Sequence, residues 1–247
     1  YIFYGCKKLE RLEFSDTLMQ VGTGAFTGCS GLKELVIHQK KGLKSCAKEI
    51  LGELWQKIDV DFLYENGEAG GKRAHMVFPE HYDEAVENTP ARILFTEYHG
   101  SGTNYRQCFY SKELDFAEYD SLFDMAVVMD KLEVLVDMSF GRLRYPWQLS
   151  EKAKKQYEDY IQGNLKDIGE FLVESGSLNG LELLSRKKLW NREGLEHSID
   201  VASRKKDMEI SAFLMNERSR MMEEEQKVSG ENGNAERPAR RRKKFQL

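Results

Sequence analysis

Apolar and small residues in the first part of the chain recur at a fixed interval. Phe3, Gly5, Cys6, Leu9, Leu12 and Phe14 return as Phe26, Gly28, Cys29, Leu32, Leu35 and Ile37, each pair 23 residues apart. A period in the low twenties is the length of one coil of chain, a short strand, a turn and a return segment, with the inward residues of each coil stacked on those of the next. The spacing assigns a structural role to Phe3, Cys6, Leu9, Leu12, Phe26, Cys29, Leu32 and Leu35. Cys6 and Cys29 are expected as small buried side chains at equivalent corners, and Gly5 and Gly28 as the residues that let the backbone turn there. After Ile37 the period fails, because Glu49 and Gly52 occupy the next Phe and Cys positions. Ile50, Leu51, Leu54 and Trp55 fall at helical spacing instead, which predicts a helix over residues 45–56 that closes the end of the stack.

The middle of the chain alternates. Residues 58–63 read as a strand, 66–71 as a turn, and 75–78 as a second apolar run ended by Pro79. Residues 80–87 read as a short helix broken before Pro90, since the residue ahead of proline avoids the helical region. Residues 91–98 and 105–110 read as the two strands of a hairpin around the Gly-rich turn 99–104. From Asp115 the period becomes helical. One amphipathic helix is expected over 119–129 and another over 132–143. Ser150 caps a third, with Ala153, Tyr157, Tyr160 and Ile161 on one face. Short helices follow at 168–174, 180–185, 192–203 and 208–215, joined by brief turns, as in a helical-repeat array. The expected fold is α+β in four parts: coils over 1–42, a capping helix and α/β connector over 43–114, a helical array over 115–222, and a charged tail over 223–247.

The segment LEFSDTLMQVGTGAFTGCSGLKELVI resembles the bacterial BspA-like leucine-rich repeat, whose pattern is roughly L-x-x-I-x-P-x-x-L-x-x-I-G-x-x-A-F-x-G-C-x-x-L. Leu12, Phe14, Leu18, Val21, Gly22, Ala25, Phe26, Gly28, Cys29 and Leu32 stand at pattern positions, and Ser15 stands where the family often has Pro. The resemblance covers about the first sixth of the chain. It implies the end of a leucine-rich-repeat solenoid. The later segment GLEHSIDVASRKKDMEISAFLMN is similar to a degenerate ankyrin-type unit. Ala202 lies inside its first helix and Glu209-Ile210 precedes Phe213-Leu214, while the T-P-L-H signature is absent. The region from LEVLVDMSFGRLRYPW onward resembles the C-terminal regions of BspA-like repeat proteins; an ordinary helical bundle is the competing reading. Repeat surfaces of both kinds bind other proteins, which makes the turn residues Arg204, Lys205 and Lys206 candidates for partner contact.

Composition narrows the function further. Hydrophobic residues make up 40% and charged residues 32%, and the net charge of −4 gives no general attraction to nucleic acid. No apolar run approaches the ~20 residues that cross a bilayer, and no signal peptide is recognisable. The chain opens inside a repeat, which suggests the C-terminal part of a longer protein. Cys6, Cys29, Cys46 and Cys108 form no C-x-x-C pair, so neither a structural zinc site nor a redox dithiol is indicated. A reducing, cytoplasmic setting fits best, with the cell surface as the alternative, and a monomer is expected.

The tail is acidic at first and then basic, with no apolar period, and disorder is expected. Phe245 and Leu247 are its only candidates for docking. Arg240, Arg241 and Arg242 begin the one stretch suited to phosphate. The neighbouring acids compete for these cations and no aromatic platform interleaves them, which argues against nucleic acid.

Three stretches offer chemistry. His99-Gly100-Ser101-Gly102 is like a lipase oxyanion loop, but no G-x-S-x-G elbow accompanies it. Gly67-Glu68-Ala69-Gly70-Gly71-Lys72-Arg73 is like a phosphate loop, but it is one residue short and has Arg73 where a hydroxyl must hold Mg²⁺. His75 and His81, with Glu80 and Asp83, match no metal-ligand spacing. The sequence therefore assigns no catalytic residue, cofactor or metal. It points to a non-enzymatic scaffold whose partner is another protein. The alternatives are a hydrolase seated within 75–101, on His99 and Ser101 or on Glu80 and His81, and a nucleic-acid accessory protein acting through the basic tail.

Overall fold

The structure, a computed structural model, describes residues 2–88 and 93–232. It is mixed α/β and divides into two compact units, Tyr1–Gly163 and Asn164–Leu247.

In the first unit, β1 (Arg11–Ser15), β2 (Glu34–Gln39) and β3 (Ile58–Tyr64) lie side by side in parallel, and β4 (Arg73–Phe78) joins β3 antiparallel. The pairing of β1 with β2 sets Leu12 opposite Leu35 and Phe14 opposite Ile37, so the sequence period is the register of the sheet. The return segments follow the same offset. Phe3 N donates to Ala25 O at 3.1 Å and Gly5 N to Thr27 O at 2.9 Å, and the Phe3 and Phe26 rings stack at 5.1 Å. Gly5 and Gly28 take φ of +71° and +78° at the corners, where a side chain would be strained.

The expectation that residues 45–56 close the stack is corrected. β3 continues the parallel sheet, with Val60 opposite Leu35 and Phe62 opposite Ile37. The helix α1 (Ala47–Leu51) is the return segment of this third turn. That turn is two residues longer than the period, which is why the 23-residue template loses it. Its tail ties it to the second: the Glu53 carboxylate accepts from Gly24 N and Phe26 N, and Gln56 Nε2 donates to Cys29 O and Leu32 O at 2.9 Å each.

Burial differs between the equivalent coils. Phe26, Cys29, Leu32 and Leu35 are buried, Phe3, Leu9 and Leu12 are half-buried, and Cys6 is exposed. The expected burial of Cys6 is thereby corrected. Its corner is covered by the next coil on one side alone among the described residues, whereas Cys29 lies between two turns and its thiol donates to Phe3 O at 2.9 Å.

After β4 the path departs from expectation. The stretch expected as a helix over 80–87 is β5 (Tyr82–Asn88), which pairs antiparallel with β6 (Ile93–His99). Pro90 lies outside the described residues. The expected return strand over 105–110 is replaced by a short helix α2 (Gly102–Tyr105) and a two-residue strand β7 (Phe109–Tyr110) that pairs with β8 (Glu113–Leu114). The helix expected over 119–129 is two, α3 (Phe116–Ser121), capped by Asp115 through Glu118 N at 2.9 Å, and α4 (Phe123–Met129). α5 (Leu132–Arg144) packs on β4. α6 (Glu151–Gly163) starts as predicted, with Ser150 Oγ accepting from Ala153 N at 3.2 Å, and buries Ala153, Tyr157 and Ile161. The divisions expected at 42/43 and 114/115 fall inside this unit, because the sheet runs from β2 into β3 and α5 closes on β4.

The second unit holds α7 (Leu165–Glu174), α8 (Leu178–Arg186), α9 (Arg192–Lys205) and α10 (Met208–Asn232). α7 packs against α8 and α9, and α10 packs against α9. Asn191 caps α9 through Gly194 N at 2.7 Å, and Lys206 ends it at φ +60°. α10 continues to Asn232, which corrects the disorder expected from residue 223 for its first ten residues. Their Glu, Gln and Lys residues are good helix formers that simply extend a packed helix. Arg240, Arg241, Arg242, Phe245 and Leu247 lie outside the described residues. No helix among the described residues is long and apolar enough to cross a membrane.

Candidate functional site

α3, α4 and α6, with the approach at residues 148–150, enclose an open cleft of ≈ 790 Å³. Asp120 lies at its floor. Arg142, wholly buried, grips that carboxylate with Nε on Oδ1 and Nη2 on Oδ2, both at 2.8 Å, and the Tyr157 hydroxyl donates to Oδ1 at 2.8 Å. Arg142 Nη1 also donates to Trp147 O at 3.0 Å, and the guanidinium lies 5.1 Å from the Phe116 ring centroid. Burial works against the Arg142 charge, but Asp120 outweighs it and the guanidinium pKa is raised. Burial, and after it the Asp120 charge, lifts the Tyr157 hydroxyl well above the ordinary range. The floor is thus a closed ion pair whose carboxylate accepts three hydrogen bonds, two on Oδ1 and one on Oδ2. The walls carry Lys152, Lys155 and Asp159, while Asp124 accepts from Gln156 Nε2 at 2.6 Å.

A second charged group lies on β3 and β4. His75 Nδ1 is 2.9 Å from Asp61 Oδ1 and its Nε2 is 3.7 Å from Asp59 Oδ1. Arg73 holds Asp61 through two bonds of 3.1 and 2.8 Å and sits over the Tyr145 ring at 4.4 Å. Lys57 bridges Asp59 at 3.4 Å and Asp137 of α5 at 2.5 Å. Burial opposes protonation of His75, but the two aspartates prevail and push its pKa up to about 9. Burial likewise opposes the charges of Asp59 and Asp61, and their bonds to His75 and to the cations hold both below the ordinary value. The sequence singled out His75 beside His81; the structure joins it to Asp59 and Asp61 instead. The signal was there in Asp59-Val60-Asp61, which puts two acids on one face of a strand.

The residues proposed for hydrolysis are not assembled. Buried Ser101 donates its hydroxyl to Asp130 Oδ2. His99 stacks on Tyr82 at 4.5 Å, and its Nε2 is 3.2 Å from Glu84. Glu80 faces Lys131 at 3.8 Å, and burial, then Arg106, lowers the pKa of His81. The glycines around Ser101 have a packing cause. A Cβ at Gly100 would stand 2.2 Å from Glu80 O, and one at Gly102 would stand 2.2 Å from Pro79 O. Arg106 is buried beside them with no carboxylate on it among the described residues: it donates to Leu51 O, Leu54 O, Pro79 O, Gly102 O and Gln56 O at 2.6–3.1 Å. Burial lowers its pKa to about 10. The carbonyls fix where three stretches of chain meet, 51–56, Pro79 and 102–106. Nothing in the local sequence announces this role. For Arg142 a signal exists, a cation three and four residues beyond buried Ser139 and Met138 on the inward stripe of α5.

The stretch like a phosphate loop folds on itself. Gly70 N donates to Gly67 O, Gly71 N to Tyr64 O and Lys72 N to Ala69 O, so these amides are not presented to an anion. Glu84, Glu97 and His99 bring one ligand atom each within 4.8 Å of one another, on a hairpin where both glutamates are exposed. Of the turn residues expected to meet partners, Lys205 is exposed but engaged within its own unit: its amine donates to Val173 O and Glu174 O at 2.8 Å each and closes the C-terminus of α7. Arg204 and Lys206 are exposed. Comparison with protein-family models, curated proteins and solved structures gives no match.

Proposed function

We propose that the chain is a non-enzymatic protein-interaction module: the end of a leucine-rich-repeat stack of the BspA-like kind, followed by an ankyrin-like helical array. The observation that carries this reading is the coincidence of the 23-residue sequence period with the parallel register of β1 on β2. β1 is an edge strand in the order β1-β2-β3-β4, and its Leu12 and Phe14 are half-buried. Among the described residues β1 is paired on one side, and a strand so placed accepts a further strand, an extended partner segment in this reading, through main-chain hydrogen bonds with side chains supplying specificity. The two buried charged clusters lend support from the other direction, since Asp120 with Arg142 and Asp59, Asp61 with His75 are taken up in holding elements together. The four free thiols support a reducing compartment.

The test is capture of a partner from native extract by the full chain, by Leu12→Lys and by Ser101→Ala, each verified as folded. The reading expects Leu12→Lys to lose the captured protein and Ser101→Ala to keep it. Equal capture by all three forms contradicts the edge as the binding surface. A hydrolytic activity that Ser101→Ala abolishes contradicts the non-enzymatic reading.

A further inference from the structure

α10 is apolar on two opposite sides. Ile210, Leu214 and Glu217 are buried on the side that meets the rest of its unit. On the far side, Met208, Ala212, Met215, Ser219, Met222 and Gln226 are all exposed. These positions alternate by four and three residues, the spacing of a coiled-coil seam. The three methionines fall every seventh residue and are 85%, 44% and 41% exposed. Methionine aligned along a solvent face is a binding surface more often than a random exposure. Between the methionines stand Ala212 and Ser219, small enough for a second helix to approach closely. The Ser219 hydroxyl already donates to Met215 O of its own helix at 3.1 Å, so burying it strands no donor.

The residues beside the seam choose the occupant; Arg218 among them already lies 3.4 Å from Glu196 of α9 in a half-exposed pair, so a contact with a second copy is shared with that pair. Glu209, Asn216 and Glu223 flank one side, and Ser211 and Arg218 the other. If a second copy of α10 lies parallel and in register, the flanking pairs run from each residue to the one five further along the partner. Arg218 then meets Glu223, and Ser211 meets Asn216. If the second copy lies antiparallel with the seam matched, Glu209 meets Glu223 and Arg218 meets Arg218, which repels at both places. The geometry points to a parallel, in-register pairing of two copies of this chain through α10. Met208, Met215 and Met222 form one set of layers, and Ala212, Ser219 and Gln226 the other. The seam lies opposite the buried Ile210 and Leu214, and it comes near α9 at Met222, which lines a small cleft with Arg192, Leu195 and Glu196. This inference is independent of the edge-strand reading of β1.

Sedimentation of the full chain from about 1 to about 500 μM measures it, a span matching micromolar to sub-millimolar affinity. The mass should rise with concentration from one chain to two. Met215→Glu should weaken association at least tenfold, Arg218→Glu should weaken it less, and Arg218→Glu with Glu223→Arg should restore it. The substituted side chains are at least partly exposed, and unchanged circular dichroism and melting establish that each variant is folded. In a Cys6→Ser background, Ala212→Cys should form an intermolecular disulfide on oxidation, since only the parallel, in-register pairing sets residue 212 against itself. A single-chain mass throughout overturns the proposal, as it would if the stripe received a different protein. Tighter association of Arg218→Glu, or failure of Ala212→Cys to cross-link in a chain that dimerises, overturns the parallel arrangement.

Discussion

The first coil and the second carry matching side chains at matching positions, yet they end in different surroundings. Phe26, Cys29, Leu32 and Leu35 lie between two neighbouring turns of chain and are buried; Phe3, Cys6, Leu9 and Leu12 have a turn on one side and remain half-buried or exposed. A repeat motif thus specifies where a side chain points, while its burial depends on what is stacked on either side. The two edges of the sheet differ in the same way. Among the described residues β1 pairs with β2 on one side and carries exposed ion pairs, Arg11 with Glu34 and Glu13 with His38, while β4 at the other edge is joined to β3 by the more buried network of Asp59, Asp61, His75, Arg73 and Lys57.

The largest effect expected from this contrast is in paired truncations. Leu35→Ala should cost ~2–5 kcal/mol, the range for a buried leucine, and Leu12→Ala about half of that or less, because less apolar area leaves water when it folds. Urea melts of the two variants measure both, and equal losses would erase the distinction between the coils.

Both edges carry a histidine whose pKa the fold raises, His38 held by Glu13 and Glu65 near β1 and His75 held by the aspartates on β3, and the more buried His75 should contribute the larger pH dependence. His75 rises from an ordinary 6.5 to about 9 in the fold. A raised histidine pKa adds stability that is fully present below the unfolded value and is lost as pH rises through the folded value. Stability should therefore fall between pH 6.5 and about 9 by an amount on the order of 3 kcal/mol. His75→Gln should flatten that slope. An unchanged slope in the variant would mean that His75 is not held protonated by Asp59 and Asp61.

A smaller version of the contrast separates two adjacent lysines. The sequence treats Lys205 and Lys206 alike as turn residues, but one amine closes α7 and the other residue adopts a left-handed φ of +60°. Lys205→Ala should cost ~1 kcal/mol for the lost carbonyl bonds. Lys206→Gly should be neutral or stabilising by up to ~1 kcal/mol, because glycine meets no steric penalty there. Thermal melts that find the two changes equivalent would contradict the assigned contacts.

How much of this the sequence discloses follows from how local each cause is. The coil register, the Ser150 cap and the helices α7, α8 and α9 are written in spacing and capping residues, which need only near neighbours. Residues 80–87 ahead of Pro90 read locally as a short helix, but Tyr82 and Val86 suit a strand equally well, and pairing with β6 decides for β5. The third parallel turn was missed because two extra residues and a helical return disguise it. The charged centres depend on distant segments. Asp120 and Arg142 are 22 residues apart, and Arg106 finds carbonyls 50 or more residues away. The HGSG stretch misled for a related reason, since its glycines answer to the backbone at Pro79 and Glu80 rather than to a ligand.

The most direct test of the stacked-coil account is alkylation of the native protein's four free thiols. Cys29 is 1% exposed, and burial raises its pKa; burial also pushes Cys46 up to about 11 and Cys108 up to about 12. The account predicts one rapidly labelled thiol, identified by peptide mass as Cys6, with Cys29 reacting only as the protein opens. Labelling of Cys29 as fast as Cys6 would contradict it, because the second coil could not then lie between the first and the third.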